Sequence, residues 1–278
     1  MSEQTSSGVM AGKRGLIMGV ANDRSIGWGI ASKLAEHGAE LAFTFQGEAL
    51  QKRVIPLAES VGSNLVLPCD VTDEASVDAV FDRLKSEWGE LDFVLHAIAY
   101  SDKEELKGRY LDTTRANFRR TLLVSCYSFT QVARLAAPLM PEGGAMVTLS
   151  YLGAERVTPN YNVMGVAKAA LECSVRYLAT DLGDAGIRVN CISAGPVRTL
   201  AGSAIADARF TYGWSRDHAP MNRPVALEEV GRAGLYLLSP LSGGVTGEVH
   251  FVDCGYNVVG IPSPRRLTMS EVSKAKEG

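Results

Sequence analysis

Short apolar segments alternate with segments of helical length along nearly the whole chain. Seven of the short segments are rich in β-branched or aromatic residues and read as strands, namely 15–20, 40–45, 64–70, 91–99, 144–150, 187–193 and 247–253. Strands that are apolar on both faces and are separated by helices indicate a parallel sheet covered on both sides. The pattern therefore predicts an α/β fold, a single-domain doubly wound parallel sheet of Rossmann type with about seven strands.

Composition places this domain among ordinary globular enzymes. We expect it to span residues 13–262, between a flexible N-terminal tail at 1–12 and a polar C-terminal tail at 263–278.

A net charge of −3 argues against a nucleic-acid-binding protein. The five cysteines form no CxxC pair and the four histidines lack metal-ligand spacing, so we expect no metal site. Neither a signal peptide nor a membrane span is apparent, and we expect a cytoplasmic protein without membrane partners.

The turn after the first strand has the properties of a dinucleotide-binding loop. Glycines here let backbone amides and the helix N-terminus approach a pyrophosphate. The familiar GxGxxG is absent, because Gly19 is followed by seven residues before Gly27. We expect Ser25 and Ile26 to contact the phosphates, through a hydroxyl and backbone N–H groups. A strand-to-helix turn can also contain glycines for purely structural reasons.

The ends of the second and third strands bear on which cofactor is bound. Gln46 follows the second strand and can bond to ribose hydroxyls, but it offers no charge to a 2′-phosphate. This favours NADH over NADPH. Lys52 and Arg53, about one helical turn further on, count against this inference because their positive charges could bind a 2′-phosphate. Gln46 can equally be a solvated loop amide. We expect Asp70, with Val71, to meet the adenine, while a helix N-cap is the alternative for Asp70.

A tyrosine and a lysine, Tyr161 and Lys168, lie seven positions apart after the fifth predicted strand. Seven residues of α-helix turn through roughly 700°, so the two side chains project from nearly one face. Most such pairs are unrelated residues. This pair stands at the carboxyl edge of the sheet, where open α/β proteins bind ligands, and we interpret it as one site.

The motifs together resemble the short-chain dehydrogenase/reductase superfamily along nearly the whole length. VNCISAGPVRT (189–199) is similar to its segment beside the nicotinamide, and VDCG (252–255) to its last strand end. Ordinary members carry Y-x3-K, with a serine thirteen residues before that tyrosine. Counted back from Lys168, the position of that tyrosine holds Met164 and the position of that serine holds Tyr151. The stretch SYLGAERVTPNYNVMGVAK (150–168) instead resembles the divergent branch, the bacterial enoyl-acyl-carrier-protein reductases, with Y-x6-K and a second tyrosine ten residues upstream.

This resemblance implies an activity and roles for the pair. It implies reduction of the trans-2 double bond of an enoyl thioester by hydride from NADH, with Tyr161 donating to the thioester oxygen as an enolate develops. Lys168 is expected on the nicotinamide ribose, where its charge also polarises Tyr161. Tyr151 is expected to shape the pocket. The implied partner is an acyl carrier protein, and the implied assembly is a homotetramer.

Further residues are expected to frame the cofactor and the acyl chain. The segment 199–218 is expected to form a substrate lid. Arg209 and Arg216 are candidates for guiding an acidic carrier protein. The remaining contacts are expected from Ile98, Val197 and Thr199 to the cofactor, and from Ala99, Ala201 and Ile205 to the substrate.

Two other functions are compatible with a nicotinamide-binding fold. One is an ordinary ketone or alcohol dehydrogenase, against which Met164 and Tyr151 speak. The other is a non-catalytic nicotinamide-binding regulator, which the retention of Tyr161 and Lys168 on one face disfavours.

Overall fold

The computed structural model describes residues 8–199 and 208–261. Its centre is one parallel sheet with the strand order β3-β2-β1-β4-β5-β6-β7. The prediction of a doubly wound, seven-stranded parallel sheet is confirmed. The strands are β1 (Arg14–Met18), β2 (Glu40–Phe45), β3 (Leu65–Pro68), β4 (Phe93–His96), β5 (Gly144–Ser150), β6 (Ile187–Ala194) and β7 (Val249–Val252).

Helices connect the strands and cover both faces of the sheet. They are α1 (Ile26–Glu36), α2 (Gly47–Ser60), α3 (Glu74–Trp88), α4 (Arg115–Leu122), α5 (Ser128–Ala136), α6 (Asn162–Leu182), α7 (Ala208–His218) and α8 (Leu227–Leu238). A π-helical segment, Leu123–Tyr127, joins α4 to α5. Short 3₁₀ turns flank several of these elements, including Leu152–Ala154 after β5.

The strands have two buried faces because each face of the sheet supports its own hydrophobic core. Leu16 and Met18 of β1 belong to the core under α3, α5 and α6, whereas Ile17 between them belongs to the core under α1, α2 and α8. Alternating side chains of one strand thus enter opposite cores. This explains why the strands read as continuous apolar runs instead of alternating ones.

The start of the chain departs from the prediction of a flexible tail through residue 12. Met10 is only 1% exposed and is part of the core under α1, and its backbone N–H donates to His37 O at 3.0 Å. Residues 8–12 therefore form a turn that is anchored to the domain by the buried Met10 side chain. The expected C-terminal tail, 263–278, lies outside the described residues.

The topology fixes where a ligand can bind. The chain runs outward from β1 to β3, then crosses back to β4 on the other side of β1. The loops after β1 and β4 consequently diverge and leave a crevice at the carboxyl edge of the sheet, the usual ligand site of such folds. None of the helices in the described part of the chain is long and apolar enough to cross a membrane.

Candidate active site

Gly19 brings the first loop against the end of β4. Its φ is +94°, and a Cβ at this position would lie 2.1 Å from the carbonyl oxygen of Ala97. Ala97 in turn donates its N–H to Met18 O at 2.9 Å. Only glycine permits this approach, so the loop after β1 and the segment after β4 form one surface at the crevice.

Ser25 differs in part from its predicted role. Its hydroxyl accepts from the N–H groups of Ala21 at 3.0 Å and Asn22 at 3.1 Å, and it donates to Asn22 Oδ1 at 3.3 Å. One donor and two acceptor positions are all that a serine hydroxyl has. The Ser25 side chain therefore shapes the long loop from within, and contact of the Ile26 N–H with phosphates stays a prediction.

Gln46 and Asp70 meet at the carboxyl ends of β2 and β3. Asp70 Oδ1 accepts from Thr72 N at 2.9 Å and Thr72 Oγ1 at 2.7 Å. Burial acts to raise the pKa of Asp70, but hydrogen bonds from Thr72 and Gln46 and the charge of Arg120 outweigh it and hold the pKa below its usual value. Asp73, not Asp70, caps α3, since its side chain accepts from Ala75 N. Asp70 is thus an ionised carboxylate beside Gln46, and Val71 next to it is buried in the core.

The loop after β4 is held by a residue that we did not predict. Ser125, in the π-helical segment, accepts from Tyr100 N at 2.9 Å and donates to Tyr100 O at 3.1 Å. A π-helical turn widens the helix locally and is frequent at functional sites. This clamp fixes the course of Ile98, which packs against the core, and of Ala99, which is exposed.

Tyr161 does not lie within the helix, as we had assumed, but directly before it. Its neighbours Asn160 and Asn162 have φ values of +58° and +37°, in the left-handed region that asparagine tolerates better than most residues. The Asn162 side chain donates to the carbonyls of Leu106 at 3.0 Å and Gly108 at 3.3 Å. A Cβ on Gly153 would lie 2.4 Å from Tyr161 Cδ1. The phenol ring is therefore fixed by a strained turn and by a glycine whose missing side chain it replaces.

Tyr161 and Tyr151 form an aromatic pair at the end of β5. Their ring centroids are 5.0 Å apart at 69°, an edge-to-face contact. Burial, followed by the proximity of Tyr151, Glu172 and Cys191, raises the pKa of Tyr161 well above its usual value. Burial also raises the pKa of Tyr151 to about 12, against a hydrogen bond with Thr158. Both phenols are neutral at physiological pH and keep their protons for donation.

Lys168 is a buried cation bonded to the strand that leads into Tyr151. It is 5% exposed, and its Nζ donates to Leu149 O of β5 at 2.6 Å. Burial lowers its pKa to about 8, while Cys191, Cys126 and Glu172 act to raise it. The polarisation of Tyr161 by the Lys168 charge stays a prediction. An ammonium held in this way has further N–H groups with which to bind hydroxyls.

The segment after β6 continues toward the predicted lid. Val197 packs against the core and its carbonyl accepts from Thr199 N at 2.8 Å. Arg198 stacks over the Tyr212 ring of α7 at 4.5 Å, which ties this segment to the second half of the lid. Arg216 is paired with Asp217 at 2.9 Å, so its charge is offset locally. The expected substrate contacts Ala201 and Ile205 lie outside the described residues.

These features together fit a dinucleotide. A dinucleotide that spans the crevice needs partners at the carboxyl ends of several strands. The loop at Gly19 follows β1, the Gln46–Asp70 pair follows β2 and β3, and the Lys168 ammonium is bonded to the end of β5. Within residues 8–199 and 208–261, no three His, Cys, Asp or Glu side chains are grouped as a metal ion needs. His96 is fully buried between Thr148 and Ser128, and burial lowers its pKa to about 3.

Known proteins resemble the chain over almost its full length. The enoyl-(acyl carrier protein) reductase family profile matches residues 19–257. Enoyl-[acyl-carrier-protein] reductase [NADH] 2 of Rhizobium meliloti is 63% identical over 95% of this chain and 99% of its own. The crystal structure of FabI from Candidatus Liberibacter asiaticus has a TM-score of 0.91 and 58% identity, with 92% of this chain and 99% of that chain covered. The enoyl reductase of Anaplasma phagocytophilum in complex with NAD has a TM-score of 0.90 and 57% identity, with 93% and 98% covered. The chain belongs to the enoyl-(acyl carrier protein) reductase family.

Proposed function

We propose that this protein reduces the trans-2 double bond of enoyl thioesters carried by an acyl carrier protein, with NADH as the reductant. The observation that carries the proposal is the buried, neutral Tyr161 edge-on to Tyr151, together with the buried Lys168 bonded to the end of β5, at the carboxyl edge of the sheet. The names of the relatives support the same reaction, since they are NADH-dependent enoyl-[acyl-carrier-protein] reductases. Met164, at the tyrosine place of ordinary ketone reductases, is buried beside Tyr161 and has no proton to donate.

Tyr161 stabilises the developing enolate in this mechanism. NADH bound in the crevice would supply a hydride to the β-carbon of the double bond, and negative charge would then develop on the thioester oxygen. The Tyr161 hydroxyl donates a hydrogen bond to that oxygen, and removal of a comparable donor in other enzymes lowers turnover by about 10²–10³-fold. Because its pKa is raised, the phenol donates without releasing its proton. Protonation of the α-carbon is assigned to no side chain here.

Lys168 and Tyr151 position the reactants. The Lys168 ammonium binds the ribose hydroxyls next to the nicotinamide. Its hydrogen bond to Leu149 O holds the side chain, which extends from α6, in one position. Tyr151 supports the Tyr161 ring and shapes the thioester pocket. Ile98, Val197 and Thr199 frame the nicotinamide, and Ala99 contacts the substrate.

The preference for NADH rests on charge at the adenosine end. Asp70 is ionised and lies beside Gln46. A carboxylate in this place repels a 2′-phosphate, whereas ribose hydroxyls donate to both side chains. Gln46, Asp70 and Val71 thus hold the adenosine, and Gly19 with Ile26 the pyrophosphate.

Three wider features belong to the same proposal. Segment 199–218, of which α7 is the described helix, closes over the acyl chain as a lid. The exposed Arg209 at the start of α7 guides the acidic carrier protein, and the charge of Arg216 contributes less because of Asp217. We further propose a homotetramer that works in the cytoplasm.

A pair of assays tests the activity. Purified protein and NADH are mixed with either a trans-2-enoyl thioester or a 3-ketoacyl thioester of equal chain length, and loss of reduced-nicotinamide absorbance is followed. We expect oxidation only with the enoyl substrate, and a loss of about 10²-fold or more in turnover for Tyr161→Phe with NADH affinity retained. Oxidation only with the ketoacyl substrate would refute the proposal. Oxidation with neither substrate, repeated with NADPH, would favour a regulator.

A further inference from the structure

Glu172 is a buried carboxyl group that the mechanism above does not use. It is 6% exposed and lies four residues after Lys168 on α6, so both side chains leave the same face of the helix. Its Oε1 accepts from Ser150 Oγ. A charged carboxyl group at a buried position lowers the stability of the fold unless hydrogen bonds or an opposite charge compensate for the lost contact with water.

The two buried charged side chains of α6, Lys168 and Glu172, are bound to neighbouring residues of one strand. Lys168 Nζ donates to Leu149 O at 2.6 Å, and Ser150 donates to Glu172. The next residue is Tyr151, whose ring supports Tyr161. The end of β5 is thus held to α6 at two successive residues directly before the tyrosine pair begins.

Glu172 supplies the negative charge in the surroundings of Lys168. The groups that face Lys168 from other elements are Cys191 of β6, Cys126 of the π-helical segment and His96 of β4. Burial raises the pKa of both thiols, and burial lowers the pKa of His96, so all three are neutral near pH 7. The described residues place no ion pair within 4.0 Å between Lys168 and Glu172, and the two charges act on each other at longer range. Such an interaction is strong in a site shielded from water.

The charge state of Glu172 depends on the groups around it. Burial raises its pKa, and Glu155 adds to this, while the Ser150 hydrogen bond, Arg176 and Lys168 act in the opposite direction. The net direction is upward. The Glu172 carboxyl therefore keeps its proton to a higher pH than an ordinary glutamate does.

We propose that Glu172 is a positioning residue that keeps Lys168 in its ammonium form and, through Ser150, aligns the strand end that leads into Tyr151. The inference rests on the proposed binding of the nicotinamide ribose by Lys168. Removal of the Glu172 charge makes the ammonium less favourable, and Lys168 then loses its proton at a lower pH. NADH affinity follows, because a neutral amine offers no charge and fewer N–H donors to the ribose.

The test is the pH dependence of NADH affinity in Glu172→Gln, whose amide oxygen can still accept from Ser150. Dissociation constants are measured by nicotinamide fluorescence between about pH 6.5 and 9.5. We expect the alkaline loss of affinity to move down by about 0.5 pH unit or more, which weakens binding about threefold at pH 8.5 and hardly at pH 6.5. If the Gln variant does not fold, Glu172→Met, of similar volume, is measured in the same way.

Two controls separate charge from packing. Glu155→Gln removes an exposed carboxyl that also faces Glu172 and should leave the profile in place. Ser150→Ala removes the hydrogen bond but keeps the carboxylate, so its alkaline limb should not move down. A Glu172→Gln or Glu172→Met profile that coincides with that of the unmodified protein would overturn the proposal. If Lys168→Ala leaves NADH affinity unchanged, the proposed role of Lys168 fails instead.

Discussion

Replacing Lys168 by methionine should abolish function and stabilise the fold at the same time. Burial lowers the pKa of Lys168 from its usual value of 10.5 to about 8. Each tenfold change in proton affinity is worth about 1.4 kcal/mol, so the buried ammonium costs the folded protein about 3 kcal/mol below pH 8. The substitution also removes the hydrogen bond to Leu149 O, and this loss offsets about 1 kcal/mol of the gain in stability. We expect Lys168→Met to be more stable by about 1–2 kcal/mol at pH 7.

The gain should depend on pH in a defined direction. Lys168 has a folded-state pKa below its unfolded value, so its cost is complete below pH 8 and disappears as the pH rises toward 10.5. At pH 9.5 about half of the cost at pH 7 remains. The stabilisation in Lys168→Met should therefore be largest near neutrality and shrink in alkaline buffer.

Urea denaturation of the cofactor-free protein measures this effect. Unfolding is followed by circular dichroism at pH 7 and pH 9.5 for the unmodified protein, Lys168→Met and Lys85→Met, in which an exposed lysine of α3 is removed. The Lys85 variant should differ from the unmodified protein by no more than about 0.5 kcal/mol at either pH. A Lys168→Met protein that is less stable than the original at pH 7, or whose gain is the same at both pH values, would refute the reasoning.

Three further substitutions test the site. Gly153→Ala should lower turnover about tenfold or more and destabilise the protein by about 1–3 kcal/mol, because the new Cβ would meet the Tyr161 ring; unchanged kcat and thermal midpoint would contradict this. Asn162→Ala removes bonds to the carbonyls of Leu106 and Gly108 and puts alanine at positive φ, so a loss of about 1–3 kcal/mol is expected in urea denaturation, with Asn64→Ala, an exposed position just before β3, as a comparison. Gln46→Arg should raise kcat/KM with NADPH relative to NADH by tenfold or more, and an unchanged ratio would place the adenosine elsewhere.

The sequence by itself determined the sheet. Strand β5 has the boundaries that its residue pattern predicted, because a run with two buried faces is a local property of the chain. The spacing of Tyr161 and Lys168 predicts that both belong to one site. The match of this spacing to one branch of a large superfamily also predicted the family.

The tertiary structure decided how these residues are held. Ser125 clamps Tyr100 across 25 positions, and Asn162 holds a loop 54 positions away at Gly108. The sequence offered no sign of either, since serines and asparagines are common and each bond depends on where two distant segments meet. The same is true of Ser25, whose hydroxyl turned inward, and of Glu172, which looked like an ordinary helix residue until its burial beside Ser150 was visible. Periodicity reports only which face of an element is buried, whereas the partner of each buried polar atom is fixed when the whole chain packs.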